Sequence, residues 1–590
     1  MMIRKRTGKA SVDRPWMQMY PKQFRDLAVP ACSVTEFLKN RNLMGNVPAI
    51  RYYGRQYDWD TVWSLVDRTA KALKALGIRK GDRIPVFLQA VPEHLFLLLG
   101  AEKIGAALIC RDDTTEELCF AIRKSKASVA FFPDYVSREE EEQFLAETPM
   151  ERMITVSPYT YADKKAIPSY VQRNLDSRYP KNRACNSRNM TWEDFLALGD
   201  DMEDIDADFD SSAPLFCAYT SGSTGVSKMV IHSAESIIGV AAQLVAFAPP
   251  TDRQQTWWLP LLTPALVAAT VSMMLFPLST GKLLVLDPFI DVNDLDLGFM
   301  DVRPNLWPLI PMFASIVIKS KRIPKDFDMS FLQAAGPGAE PMSNKGYREL
   351  EQFLHAHNCN VTVTAGYGLS EAGSSIILPC PQIPLENGCV GIPMPKTVIG
   401  IFKLGTQEEL GYNEVGEICT FGPGNMLGYQ DEEQTRKVMQ KHADGHTWIH
   451  TGDCGYISEQ GVLYVLGRGL SKRYGGGNLY IMNMESKVVE IPGIEDGFFC
   501  LVPDQRHEGY FIPYLYLVLE DGVALSQVRD QIDSALDPHE RPHEIKLIRR
   551  REYFHFKTNR KILVAEVLEE RKKTKQRMKI VAKQLQRVAR

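Results

Sequence analysis

Strand-like and helix-like segments alternate along the first part of the chain, and this alternation restricts the fold more than any other feature. Over Tyr57–Gly77, Val62, Leu65, Val66, Leu73 and Leu76 recur on one helical face. Asp60 is placed to cap the start of that helix and Gly77 to stop it. KGDR then turns into the strand-like RIPVFLQA, followed by an apolar helix over His94–Ile104 and the strand-like AALIC. Strand, helix, strand in this order is the pattern of a parallel sheet with helices on its faces, an α/β fold. Ser233–Phe247 is a further capped helix, and the polar, charged Glu139–Asp210 reads in part as a surface insertion.

The chain has 590 residues, enough for a large domain and a smaller one. Its character changes near Gly467, where GRGLSKRYGGGN is glycine-rich and basic. Beyond it come Met482–Val489, the strand-like FFCLV and YLYLVLE, and a helix over Leu525–Leu536. These predict a small separate α+β domain over 467–590, behind a hinge, with residues 1–466 forming the large domain. The apolar run Ala265–Leu278 is too short for a membrane span, which needs about 20 residues. It predicts a buried helix or the wall of an apolar pocket. A net charge of -3 argues against a nucleic-acid partner. Eleven cysteines without a C-x-x-C pair, and a basic start lacking an apolar core, predict reduced thiols and a cytoplasmic protein. The last twenty residues carry nine basic side chains and no acidic ones. They read as a solvated helix, with peripheral contact to an anionic membrane as the alternative.

The stretch YTSGSTGVSK over Tyr219–Lys228 lies between two apolar runs, LFCAY and MVI. Glycines let backbone N–H groups turn toward an anion, Ser221, Ser223 and Thr224 add hydroxyl donors, and Lys228 adds a mobile cation. A phosphate cradle and a plain turn between two strands both fit these residues. The common nucleotide P-loop does not, because Lys228 precedes Met229 and a strand-like run rather than opening a helix.

Four further segments stand in order behind it: GYGLSEAG, TWIHTGD, VLGRG and KTNRKI. Together they resemble the adenylate-forming superfamily of acyl-CoA synthetases, aryl-acid ligases, amino-acid adenylation domains and luciferases, over roughly Val34 to Lys561. YTSGSTGVSK resembles the signature loop, with Ser227 where proline is usual. GYGLSE is similar to the aromatic-Gly-x-Thr-Glu motif, WIHTGD to Trp-x-x-Thr-Gly-Asp, and GGGNLYIMNMES to a segment of the CoA-ligase branches. The resemblance implies a large domain of parallel-sheet α/β subdomains plus a β-barrel-like subdomain, and makes the small α+β domain already noted a mobile one.

It also implies roles. Thr220, Ser221, Gly222, Ser223, Thr224 and Gly225 would wrap the outer phosphates of ATP, with Lys228 assisting. Gly336, Pro337 and Gly338 would form the adenine-side loop and Tyr367, before Gly368, would stack on adenine. Ser370 would touch the α-phosphate, and Glu371 would hold Mg²⁺, which prefers oxygen ligands. Asp453 would bind the ribose hydroxyls, with Arg468 nearby, and Lys561 would bridge the substrate carboxylate and the α-phosphate. The implied reaction activates a fatty or aromatic carboxylic acid as acyl-AMP, releases pyrophosphate, and passes the acyl group to CoA. Two anions must meet in the first step, so Lys561, Lys228 and Mg²⁺ would offset their repulsion. The nucleophile is already ionised, so no general base is required. Gly475–Asn478 would line the thiol path in the second step.

Three departures stand out. Leu470 occupies the hinge where Asp or Lys is usual, Arg560 replaces the glycine before Lys561, and Leu262 and Thr263 follow Leu-Pro where an aromatic and a His are usual. They leave two alternatives: transfer to an acyl-carrier protein or an amine, and a nucleotide-binding homologue without catalysis. TWWLPLLTPALVAA carries no Asp to pair with an α-amine, which disfavours an amino-acid substrate.

Overall fold

The computed structural model describes residues 6–41, 45–183, 189–205, 210–220, 227–248, 254–378, 380, 383, 388–469, 471–548, 553–554, 557–558 and 560–588. For 23, 337, 553–554, 557–558, 575 and 577–588 it describes the backbone alone.

Helical periodicity builds the first packed layer. Val62, Val66, Ala70 and Leu73 line the buried face of the helix Trp59–Ala75, which packs on the helix Pro92–Lys103. The second helix is buried on every side from Pro92 to Glu102 because sheet and helix enclose it. The cap differs from expectation. Asp58, not Asp60, accepts the N–H of Thr61, since only Asp58 has the extended backbone that an N-cap needs. Asp60 lies inside the first turn.

The alternation of strand and helix closes into two sheets. An eight-stranded sheet runs in the order Gly428–Tyr429, Met229–Ser233, Pro214–Tyr219, Ala107–Cys110, Arg83–Val86, Val129–Pro133, Arg152–Val156 and Asn189–Thr191. Its strands are parallel from Pro214–Tyr219 to Asn189–Thr191; Met229–Ser233 pairs antiparallel with Pro214–Tyr219. A six-stranded sheet runs Ala334–Pro337, Leu306–Leu309, Thr256–Pro260, Leu283–Asp287, Pro48–Tyr52 and Arg55–Asp58. The stretch 139–210 is more regular than expected. Its run RMITV is apolar enough to join the first sheet at Arg152–Val156, and helices Arg138–Glu147 and Ser169–Arg178 flank it.

A third sheet, of seven antiparallel strands, stands where the barrel-like subdomain was expected. It includes Cys389–Pro393, Val398–Phe402, Gly416–Phe421, Thr447–Ile457 and Leu463–Arg468. The run 265–278 forms the helix Val267–Thr270, a wider π-type turn over Val271–Leu275 and the helix Phe276–Ser279, largely buried. Among the described residues no helix is long and apolar enough to cross a membrane.

After Arg468 a separate core begins. The strands Ile494–Pro503, Phe511–Leu519 and Ile545–Leu547 form one sheet. Side chains alternate across a strand, so Phe499, Leu515 and Leu517 face the helices Ile481–Val489 and Leu525–Ala535. Phe498, Cys500, Val502, Tyr514 and Tyr516 face the other way, where Val567 of the helix Arg560–Val588 covers them. Ion pairs Lys319–Glu495 at 2.5 Å, Arg348–Glu490 at 2.6 Å and Lys345–Glu520 at 3.2 Å join this core to the preceding helices.

Candidate active site

The glycine-rich loop leaves the sheet at Tyr219 and returns at Met229, since Pro214–Tyr219 and Met229–Ser233 pair antiparallel around it. Its base is closed by three bonds. Thr220 N–H donates to the Lys228 carbonyl at 2.8 Å. Lys228 N–H donates to Thr220 Oγ1 at 3.2 Å, and Ser227 Oγ to the Thr220 carbonyl at 2.6 Å. Ser221, Gly222, Ser223, Thr224 and Gly225 lie outside the described residues, as does Leu470.

Beside the loop base stands Glu371, in a short turn over Ser370–Ala372. Tyr429 Oη donates to Glu371 Oε1 at 2.6 Å, and Lys228 Nζ lies 5.0 Å from the centre of the Tyr429 ring. Gly428–Tyr429 pairs with the strand that follows the loop, so three distant segments share one edge. His232, on that strand, brings its Nε2 to 2.7 Å from the Ser370 carbonyl. A carbonyl only accepts, so Nε2 carries the proton. Burial lowers the His232 pKa to about 4 and keeps the ring neutral.

Tyr367, Gly368, Ser370 and Glu371 are presented by a tight hairpin, Gly368–Leu369 against Ser374–Ser375. A Cβ at Gly368 would stand 1.9 Å from the Ser374 carbonyl oxygen, so no larger residue fits. Ser272 of the apolar helical run bonds Ser374 through the two hydroxyls at 2.6 Å, which sets that run against the back of the hairpin. Gly336–Pro337 ends the edge strand of the six-stranded sheet, Gly338 N–H donates to the Leu309 carbonyl at 2.9 Å, and Thr364 sits against Gly336.

Tyr367 Oη donates to Asp453 Oδ2 at 2.7 Å, and Arg468 stands 3.5 Å from Asp453 Oδ1 on the paired strand. The stretch before Asp453, where the pairing of Thr447–Ile457 with Gly416–Phe421 shifts register, is held from below. Glu417 Oε1 accepts the Gly452 N–H at 3.1 Å, at a positive φ of 72° that favours glycine, and Oε2 accepts His450 Nδ1 at 3.0 Å. His450 Nε2 lies 3.0 Å from His442 Nε2, so His442 donates the proton there. Sequence reasoning missed Glu417, His442, His450 and His232. The histidine in WIHTGD and the carboxylate in GEIC are the signals that could have found His450 and Glu417.

Residues 39–430, well over half of the chain, match the AMP-binding enzyme family. The chain belongs to that family. This AMP-binding enzyme is 26% identical over 533 residues to a probable CoA ligase of Humulus lupulus, covering 87% of this chain and 89% of that one. It is 25% identical over 503 residues to 4-coumarate–CoA ligase 3 of Arabidopsis thaliana, covering 83% of each. Its fold matches the anthranilate CoA ligase AuaEII in complex with anthranoyl-AMP at a TM-score of 0.74 and 16% identity, covering 92% of this chain and 98% of that one. The expected superfamily and fold class are thereby borne out.

The enzyme's residues fit the groups the family name implies. Glu371 is a carboxylate bonded to a phenol whose ring lies against Lys228, an oxygen ligand of the kind that a hard divalent cation takes. Glu417, Cys419 and His450 also bring one potential ligand atom each within 4.8 Å of the others. There the proton chain from His442 through His450 to Glu417 already satisfies the polar atoms. Lys561 is the second residue of the helix Arg560–Val588 and is exposed.

Proposed function

We propose that this AMP-binding enzyme is an acid–CoA ligase working in two half-reactions. A carboxylate oxygen attacks the α-phosphorus of ATP, pyrophosphate leaves, and acyl-AMP forms. The CoA thiol then attacks the acyl carbon, and AMP leaves. The observation that carries this reading is the linkage of Lys228, Tyr429 and Glu371 at the base of one glycine-rich loop, with Tyr367 of the Glu371 hairpin bonded to Asp453.

Each group has a task. Thr220–Gly225 and Lys228 hold the outer phosphates, and Glu371 holds Mg²⁺. Mg²⁺ supplies positive charge against the triphosphate when bound. Tyr367 and the Gly336–Gly338 segment flank the base, Ser370 contacts the α-phosphate, and Asp453 with Arg468 takes the ribose. Lys561 approaches from the small domain, divided from the large one near residues 466 and 467, and compensates the charge of the attacking acid.

An apolar acid, fatty or aromatic, is the substrate class favoured, because the segment 256–278 carries no ionisable side chain to pair with a charged substituent. Trp258 belongs to the strand Thr256–Pro260 that opens this segment. It is core, and donates through Nε1 to Asp287 at 3.3 Å. The basic end of the helix Arg560–Val588 supports contact with an anionic membrane, which vesicle co-sedimentation tests. The cysteine usage supports a cytoplasmic setting.

The test is pyrophosphate exchange with benzoate, 4-coumarate, octanoate and palmitate, with and without Mg²⁺, followed by mass spectrometry after adding CoA. Acid-dependent exchange and an acyl-CoA product are expected. Exchange without thioester points to a carrier protein or amine acceptor, and no exchange with any acid rejects the reading.

A further inference from the structure

The resemblance implies a glycine before Lys561, and this chain has Arg560. The side chain has a defined place. Arg560 opens the helix Arg560–Val588. Its Nη2 donates at 2.8 Å to each carboxylate oxygen of Glu485, and its Nε donates at 3.3 Å to the Phe499 carbonyl. Glu485 Oε1 also accepts the Phe499 N–H at 2.8 Å. One ion pair thus ties together the helix Ile481–Val489, the strand Ile494–Pro503 and the start of the C-terminal helix.

The apolar contacts of that helix begin one turn later. Leu563, Val564, Val567 and Leu568 pack on Phe498, Cys500 and Tyr516. Ahead of them, Arg560 anchors the first turn, which also carries Lys561. The pair lies toward the large domain. Arg560 and Glu485 line a cavity of about 210 Å³ whose far wall includes Glu340, Ala365 and Gly366, next in sequence to the segments that carry Gly338 and Tyr367.

The guanidinium is committed to Glu485 and to a backbone carbonyl, so it is a brace rather than a free charge for substrate. A lysine could not replace it, because a point cation lacks the fork that serves the carboxylate and the carbonyl together.

We infer that Arg560 and Glu485 are positioning residues that hold the first helical turn so that Lys561 is presented to the cleft during acyl-AMP formation. This rests on the reading above that Lys561 acts in that step. The brace then matters for the first half-reaction and not for the second.

The test uses full-length Arg560→Ala, Glu485→Gln, the double variant and Lys561→Ala. Each is assayed for pyrophosphate exchange with the best acid of the panel, and for thioester formation from CoA and that acid's synthetic acyl-adenylate. Glu485→Gln keeps an acceptor for the Phe499 N–H, so it guards against a variant that fails to fold. Each single variant is expected to lose about tenfold or more in exchange kcat, with KM for ATP within about twofold. The double variant should lose no more than the worse single one. Thioester formation from the supplied adenylate should stay within about twofold of wild type. Normal exchange in Arg560→Ala and Glu485→Gln overturns the brace, as does a parallel loss of both half-reactions in them. If Lys561→Ala abolishes exchange while Arg560→Ala does not, the brace alone fails. If Lys561→Ala leaves exchange intact, the role of Lys561 falls and the brace falls with it.

Discussion

Tyr367 and Asp453 share one proton bond of 2.7 Å across 86 residues of chain, which makes the hairpin aromatic and the sheet carboxylate a single unit. Burial, and next the Asp453 charge, hold the Tyr367 phenol well above its usual pKa, so it stays a donor. The bond orients Oδ2 and leaves Oδ1 on the Arg468 side.

Tyr367→Phe keeps the ring and deletes that donor. A hydrogen bond to a charged group contributes about 1.5–3 kcal/mol. Only part of this bears on nucleotide binding, so KM for ATP in pyrophosphate exchange should rise about five- to tenfold with kcat nearly unchanged. An unchanged KM would remove Asp453 from the nucleotide site.

The Glu371–Tyr429 bond makes a different claim. At 2.6 Å it occupies one carboxylate oxygen of the proposed Mg²⁺ ligand. Tyr429→Phe frees that oxygen, and half-saturating Mg²⁺ should fall about threefold at fixed ATP. Glu371→Gln should instead raise it about tenfold or more, since a neutral amide is a poorer ligand. A Mg²⁺ titration of exchange reads both, and identical titrations in all three proteins would free Glu371 of the metal.

Much of this was legible in the sequence, for identifiable reasons. Helical periodicity over 57–77 and the strand–helix alternation gave the parallel sheets, because both arise from local spacing. The motifs gave Lys228, Tyr367, Glu371 and Asp453, because their chemistry is carried by side chains in short loops. The Asp58 cap was missed because two aspartates stand two residues apart and only backbone geometry separates them. The strand Arg152–Val156 was missed because its charged flanks hid a five-residue run. Glu417 and His450 meet across neighbouring strands, 33 residues apart, and no local pattern reports such a meeting.

That meeting has its own consequence. Glu417 receives two donors, the Gly452 N–H and His450 Nδ1. In Glu417→Gln one amide oxygen must serve both, and the amide N–H₂ faces a donor. An unsatisfied buried group costs about 1–3 kcal/mol. We expect a lower melting temperature and a raised KM for ATP, because the irregular strand segment that carries Asp453 loosens. A lower melting temperature with unchanged KM would confine Glu417 to stability.

Glu93 provides the clearest pH dependence. It lies in the first turn of the helix Pro92–Lys103, fully buried, with no hydrogen-bond partner among the described residues on either carboxylate oxygen. Burial raises its carboxyl from 4.5 to about 8, so at neutral pH the folded protein keeps it protonated. The native state therefore binds a proton that the unfolded chain has released. Stability is greatest below 4.5 and is lost as pH rises toward 8. Between pH 5 and 8 this one group costs on the order of 3 kcal/mol. His94 beside it is lowered to about 3 by burial and acts in the opposite sense as pH falls below 6.5, where the unfolded ring charges and the buried one does not. A comparison between two proteins cancels that part. Glu93→Gln resembles the protonated acid in shape and charge, so it should match wild type near pH 5 and melt at a higher temperature near pH 8. Hydrogen exchange of the Pro92–Lys103 amides should show the same divergence. A gap that stays constant across this range would mean that Glu93 holds its proton equally in both states, and that its burial carries no linked charge.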